Sequence, residues 1–194
     1  MLHDIGLAEL ARLKSLGIVD VAFNLPFYDV AYYLGTVALL AKLVGLDMFL
    51  QVQIHEDQVV GLVPLIERSP VRLLIDHCGR PDIATGLNAA AFRALLALGR
   101  SGRASIELSG CIKFSRQSHP FSDTLSFVRA SVEAFTLDPC IRGADWPFLR
   151  APERVDYGPL LTLAETLFLD ATGRRKLFWD TPSRLFGFDD QGPA

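Results

Sequence analysis

Polar side chains of the kind that bind and activate carbonyl compounds stand where short apolar runs of this chain end. They are Asn24, Gln51 and Gln53, the pair Asp76-His77, Ser109, and Asp145 followed by Trp146-Pro147. A carboxylate held ionised within hydrogen-bond reach of water can serve as a general base. An imidazole, neutral or cationic near pH 7, can polarise a carbonyl or ligate a metal. Each residue also has a plainer reading. Asp145 could cap a turn or helix, and the ring of His77 could simply be satisfied by a neighbouring carbonyl. Arg80, in Gly79-Arg80-Pro81, could bind a substrate carboxylate or be a solvated loop charge. Gln51 and Gln53 share one face under the two-residue period of a strand, and inward amides on an apolar strand require partners that a ligand pocket or a buried water supplies. Lys113 is a candidate to hold an anionic substrate, whereas Arg116 reads as surface charge. His55, beside Glu56 and Asp57, reads as the start of a helix, and His3-Asp4 as a coincidence at the chain end. Five runs that all deliver polar ends exceed what a packing core needs, which favours a site.

The elements that must position these residues are legible from periodicity. The apolar runs Val19–Leu25, Asp47–Ile54, Val71–Asp76, Ala104–Ser109 and Cys140–Asp145 are too short for helices and read as strands. Between them, Leu7–Leu16, Val30–Val44, Asp57–Arg68, Asn88–Arg100 and Ser122–Phe135 repeat apolar residues at three and four, the period of amphipathic helices. The strand starts recur at intervals of about 30 residues, the size of a βα unit, so the chain is α/β with a parallel sheet. Near the C-terminus, Asp180 or Thr181 is expected to cap a helix, with Pro182 in its first turn and Gly187 ending it.

Composition bounds the rest. The chain has 194 residues, 19 Lys+Arg against 22 Asp+Glu, and a formal charge of −3. That length allows one domain with a sizeable core, and 50% hydrophobic residues exclude a disordered chain. Without a basic run there is no footprint for a nucleic-acid partner. Mean hydropathy is +0.28, yet the longest apolar stretch, Val30 to Gly45, is interrupted by Lys42 and is short of the roughly 20 residues that cross a membrane. No membrane segment and no signal peptide is expected. Cys78, Cys111 and Cys140 are odd in number and far apart, which suits a reducing cytoplasm better than a disulfide framework.

No glycine-rich nucleotide-binding turn and no GxSxG elbow is present. Polar residues at the ends of parallel strands are instead the arrangement of a (β/α)₈ barrel, whose active sites lie on that rim. In order along the chain come Val-Ala-Phe-Asn-Leu (21–25), Gln-Val-Gln (51–53), Ile-Asp-His-Cys-Gly-Arg-Pro-Asp (75–82), Glu-Leu-Ser-Gly (107–110), Gly-Ala-Asp-Trp-Pro (143–147) and Asp-Thr-Pro-Ser-Arg-Leu-Phe-Gly-Phe (180–188). Together these six motifs resemble the amidohydrolase-related family, in particular its 2-pyrone-4,6-dicarboxylate lactonase and sugar-lactonase branch.

The resemblance implies a TIM-barrel-like hydrolase fold, with residues 1–194 forming a single domain of its C-terminal five βα units. About three N-terminal strands would be lacking, since such a barrel takes about 250 residues. It implies Asp145 as the general base, His77 as the group polarising a substrate carbonyl, and Gln51, Gln53, Arg80, Lys113, Trp146 and Asn24 as substrate-binding residues. The expected reaction is hydrolysis of a lactone of a small carboxylic or sugar acid. The alternative is a non-catalytic half-barrel, or a subunit completed by another chain. In the family a His-x-His pair lies on the first strand, and the four histidines here form no such pair. A catalytic zinc usually has three protein ligands, so no tightly bound metal is expected; the alternative is zinc or another divalent metal held through His77 and Asp145. Two departures remove positive charge expected near a dicarboxylate, Ala22 in place of an arginine and Glu107 in place of a lysine, and Arg142 is expected to point away from the site. Open strand edges invite pairing, so a homo-oligomer or a partner chain is expected to cover them.

Overall fold

The computed structural model describes residues 4–149, 151–153, 155–168 and 170–188. All five apolar runs form strands: β1 (Asp20–Asn24), β2 (Phe49–Gln53), β3 (Arg72–Ile75), β4 (Ala104–Leu108) and β5 (Cys140–Arg142). They make one parallel sheet in sequence order. The helices are α1 (Leu7–Ser15), α2 (Val30–Tyr33), α3 (Val37–Gly45), α4 (Gln58–Glu67), α5 (Ala90–Arg100), α6 (Leu125–Phe135), α7 (Tyr157–Leu167), α8 (Ala171–Arg175) and α9 (Thr181–Phe186). The result is the α/β arrangement expected of parallel βα units.

Register explains the two faces. Phe23 pairs with Val52, Val52 with Ile75, Ile75 with Ile106, and Ile106 with Cys140. This row is fully buried in the main core with Leu40 and Leu43 of α3, Leu62 of α4 and Phe127 of α6. One residue further along each strand the chain presents its other face. Asn24 pairs with Gln53 there, and Glu107 pairs with Ile141. The helix layer is tight where α5 meets α6: a Cβ on Gly99 would lie 2.4 Å from a ring carbon of Phe135.

Three local outcomes differ from the periodicity. The helix expected over Val30–Val44 divides at Leu34–Thr36, where Gly35 and β-branched Thr36 are weak helix formers. The break lets Tyr33 turn into the core, stacked on Phe23 at 4.3 Å, with its hydroxyl accepting the backbone N–H of Asn24 at 2.9 Å. Helix α7 follows β5 in a stretch for which the periodicity predicts no helix. At the C-terminus α9 starts at Thr181 with Pro182 in its first turn, as expected, but Asp180 has helical backbone angles and makes no capping bond. A π-helical turn over Lys176–Asp180 joins α8 to α9 and leads into Pro182, which has no N–H to give a regular ladder. Gly187 ends α9 in the left-handed region, as expected (φ 74°).

Among the described residues β1 and β5 are each paired on one side only, and no helix is long and apolar enough to cross a membrane.

Candidate active site

Beyond β3 the chain stays extended through Asp76 and then curls through four consecutive residues with positive φ: His77 (51°), Cys78 (55°), Gly79 (71°) and Arg80 (43°). Three of these are not glycine, and each stores strain of the kind found at functional turns. Two short backbone bonds close the curl, Gly79 N–H to the Asp76 carbonyl at 2.8 Å and Arg80 N–H to the His77 carbonyl at 2.9 Å. The ring of His77 is thereby held at the end of the sheet. Asp145, beyond β5, is also left-handed (φ 60°), a region that aspartate tolerates better than most residues.

Around His77 the side chains converge. Its Nε2 lies 3.3 Å from Oδ1 of Asp145, and the same oxygen is 3.2 Å from Nζ of Lys113. On the other edge of the ring, Nδ1 is 2.8 Å from Oγ of Ser109 and 3.1 Å from Oε2 of Glu107. Gln51 donates from Nε2 to Oδ1 of Asp76 at 2.8 Å, and Lys113 also donates to the Leu149 carbonyl at 2.9 Å. Asn24, Gln51, Gln53, His77, Arg80, Lys113, Asp145 and Trp146 all line one cavity of about 540 Å³, together with Asp76 and Glu107. Every residue expected in the site therefore reaches the same space.

On four residues that line this cavity a buried side-chain atom makes no hydrogen bond among the described residues: Oδ1 of Asn24, Nε2 of His77, Nε of Arg80 and Oδ2 of Asp145. Buried polar atoms are almost always bonded, and each orphan costs about 1–3 kcal/mol. Four such residues around one cavity favour a binding site over a packed core.

Burial and charge set the protonation states. Burial, then the nearby Glu107 carboxylate, pushes Asp76 up to about 7, against the opposing pull of Gln51, His77 and Gln53. Burial pushes His77 down, but Glu107, Asp145 and Asp76 outweigh it and hold the imidazole above its ordinary value. Glu107 is likewise pushed up by burial, and its bonds to His77 and Ser109 carry it below the usual carboxylate range. Asp145 is raised by burial, with His77 and Lys113 pulling the other way.

Other candidates lie elsewhere. Arg116 is exposed and 3.4 Å from Asp82, a surface pair. His55 is half-buried, beside Glu56, and donates its backbone N–H to Gln58 just before α4. His3 falls outside the described residues. Arg142 points to the helix side, as expected, donating to the Leu160 carbonyl of α7. Asp76 stands among the polar strand ends without an expected role, and Glu107 is not among the expected site residues, yet both line the cavity. The signal for Asp76 is that inward Gln51 needs a buried partner; Glu107 gave one only as a change of charge within a recognised motif.

A metal would find two donors aimed at one point, Nε2 of His77 and the Asp145 carboxylate, with an orphaned atom on each. Among the described residues no group of three His, Cys, Asp or Glu is placed to hold an ion, and the ammonium of Lys113 already faces Asp145. The described residues by themselves fall short of a catalytic metal site, which usually has three protein ligands.

Comparison with known proteins places these features in context. Residues 6–188 match the family model described as amidohydrolase. A 4-sulfomuconolactone hydrolase from Rhizobium radiobacter is 32% identical over 186 residues, 92% of this chain and 62% of that protein. The chain thus spans about 62% of the length of that relative. A solved structure from Pseudomonas putida, described as a 2-pyrone-4,6-dicarboxylic acid hydrolase, superposes with a TM-score of 0.83 at 28% identity, over 96% of this chain and 70% of the other. Two further structures share the fold alone. One is an amidohydrolase from Burkholderia multivorans with bound zinc (TM-score 0.72, 23% identity, 82% of this chain and 61% of the other). The other is a dihydroxybenzoic acid decarboxylase from Polaromonas sp. JS666 with bound manganese (TM-score 0.62, 16% identity, 93% and 64%). They overturn the expectation of a site without metal: proteins of this fold are found with zinc and with manganese bound, and the lack of a third donor among the described residues is no argument against one.

Proposed function

The chain belongs to the amidohydrolase family, and on that premise we propose that its site hydrolyses a lactone of a small carboxylic or sugar acid. The observation that carries this reading is the convergence of Asn24, His77, Arg80, Lys113 and Asp145 on one cavity, with Nε2 of His77 3.3 Å from Oδ1 of Asp145. It is supported by the names of the relatives, lactone hydrolases acting on small acids. Residues 1–194 are read as one amidohydrolase-type unit of five βα repeats.

Asp145 is the general base. Its carboxylate takes a proton from water as the water oxygen attacks the lactone carbonyl carbon, and the Lys113 ammonium beside it favours the ionised form. With Nε2 protonated, His77 donates to the carbonyl oxygen and stabilises the negative charge that develops there. When the tetrahedral adduct collapses, the ring C–O bond breaks and the departing oxygen receives the proton held by Asp145. The lactone plus one water becomes one hydroxy acid. Arg80 and Lys113 attract the acid groups of the substrate, Asn24, Gln51 and Gln53 orient it through their amides, and exposed Trp146 covers the mouth of the cavity. The reducing cytoplasm is the proposed setting, which suits the free thiols Cys78, Cys111 and Cys140.

A panel of small lactones, with acyclic esters and amides as controls, tests this reading by acid release, with and without added zinc or manganese. Preferential lactone opening supports it; preference for the acyclic compounds contradicts it.

A second reading rests on the one-sided pairing of β1 and β5. In it, further strands, from a second copy or a partner polypeptide, must cover these edges before the site works. Activity that appears only on adding the part of the Rhizobium radiobacter relative that this chain does not cover would favour it; full activity of the isolated, monomeric chain would exclude it.

A further inference from the structure

The position where Glu107 replaces an expected lysine is occupied with more order than a lost charge explains. Oε2 of Glu107 accepts the backbone N–H of His77 at 3.3 Å and the hydroxyl hydrogen of Ser109 at 2.7 Å, and lies 3.1 Å from Nδ1 of the His77 ring. Ser109 Oγ is itself 2.8 Å from Nδ1. The backbone leaves room for this arrangement at two glycines. A Cβ on Gly143, just beyond β5, would lie 1.6 Å from Oε1 of Glu107, and a Cβ on Gly110 would lie 2.6 Å from Cβ of His77. The carboxylate therefore fills a socket that only glycine at 143 leaves open.

We infer that Glu107 is a positioning residue that fixes the proton of His77 on Nδ1 and leaves Nε2 facing the cavity. The directionality follows from counting hydrogens. An ionised carboxylate only accepts, and a serine hydroxyl has a single hydrogen to give. Ser109 gives that hydrogen to Glu107, so toward Nδ1 its oxygen is an acceptor. Both neighbours of Nδ1 are then acceptors, and Nδ1 must be the donor whether the ring is neutral or cationic. The other charged groups facing the ring, Asp145 beyond β5 and Asp76 at the end of β3, do not touch Nδ1; Lys113 meets the ring only through Asp145. Nε2 is thus the atom whose state changes at the reacting centre. The assignment deepens the proposed lactone hydrolysis and rests on that reading for the reaction it serves, while the tautomer itself stands independently of any substrate.

Replacing the carboxylate by an apolar side chain of similar length frees the Ser109 hydrogen to turn to Nδ1. Glu107→Met should therefore move the proton of neutral His77 to Nε2. Long-range proton–nitrogen NMR on histidine-labelled chain, at alkaline pH where the ring is neutral, reads this directly, with His77→Gln identifying the signals. The expected result is Nδ1–H in the wild type, Nε2–H in Glu107→Met, and a kcat lowered about 10- to 100-fold with KM little changed, because a neutral Nε2–H donates to the carbonyl oxygen more weakly than the imidazolium that Glu107 supports. Nε2–H in the wild type overturns the assignment, as does Nδ1–H unchanged in a folded Glu107→Met. Should that variant not fold, Ser109→Ala decides: Glu107 alone should still hold Nδ1–H, and a switch to Nε2–H would show that Ser109, not Glu107, sets the tautomer. Failure to open lactones with the expected tautomer present would count against the reaction and not against the role of Glu107.

Discussion

Nε2 of His77 lies 3.3 Å from Oδ1 of Asp145, although the two residues leave the sheet from β3 and β5 with β4 between them. The left-handed turns at both residues make this meeting, and it joins the group proposed to polarise a carbonyl to the group proposed to activate water. Their surroundings give expectations that differ in sign and in readout.

Lys113 keeps Asp145 more acidic than burial alone would. Lys113→Met removes that pull, so the carboxyl of Asp145 should rise further and less of it should be ionised at mildly acidic pH. The acidic limb of the pH–kcat/KM profile is expected to move to higher pH. A limb that stays in place would show that Lys113 does not act on the base.

Asp76 supplies a pH dependence of stability. Its ordinary value of 3.8 is raised to about 7 in the fold, first by burial and then by Glu107. Between about pH 4 and about pH 7 the folded chain keeps a proton that the unfolded chain has released, so stability falls as pH rises through this window. Asp76→Asn should remove a fall on the order of 1–4 kcal/mol, read as a flatter pH dependence of the urea midpoint. The same slope in the variant would contradict the burial argument.

Gly143 is expected to tolerate no side chain while Glu107 is present, because a Cβ would overlap Oε1. Gly143→Ala should cost about 1–3 kcal/mol, as overpacking does. The cost should shrink in a Glu107→Ala background, the coupling that a double-mutant cycle measures. Equal costs in both backgrounds would show that the carboxylate does not fill that space.

Much of this was legible in the chain itself. The five strands followed from apolar runs too short for helices, and the polar rim followed from what stood at their ends. Gln51 and Gln53 pointed to a cavity because two inward amides need partners. What the sequence did not reveal depends on folding back. Glu107 is adjacent to His77 only through strand pairing, so the change from lysine read as a lost charge and not as a new bond. Asp76 was visible as a neighbour of His77, but its burial beside a second carboxylate was not. The pattern Asp180-Thr181-Pro182 marked the start of α9 but gave no sign of the helical turn that runs into it. Counting histidines misjudged metal, because donors can come from beyond the residues that the motifs cover.

The central claim is that Asp145 is the base, and kcat for lactone opening by Asp145→Asn tests it most directly. An amide of nearly the same shape keeps the cavity but cannot take the proton. The expected result is a kcat lower by about 10²- to 10⁴-fold, the usual contribution of a general base, with an unchanged circular dichroism spectrum. A folded variant that turns over within about twofold of the wild type would contradict the account, because a contribution of the size expected of a general base would be missing.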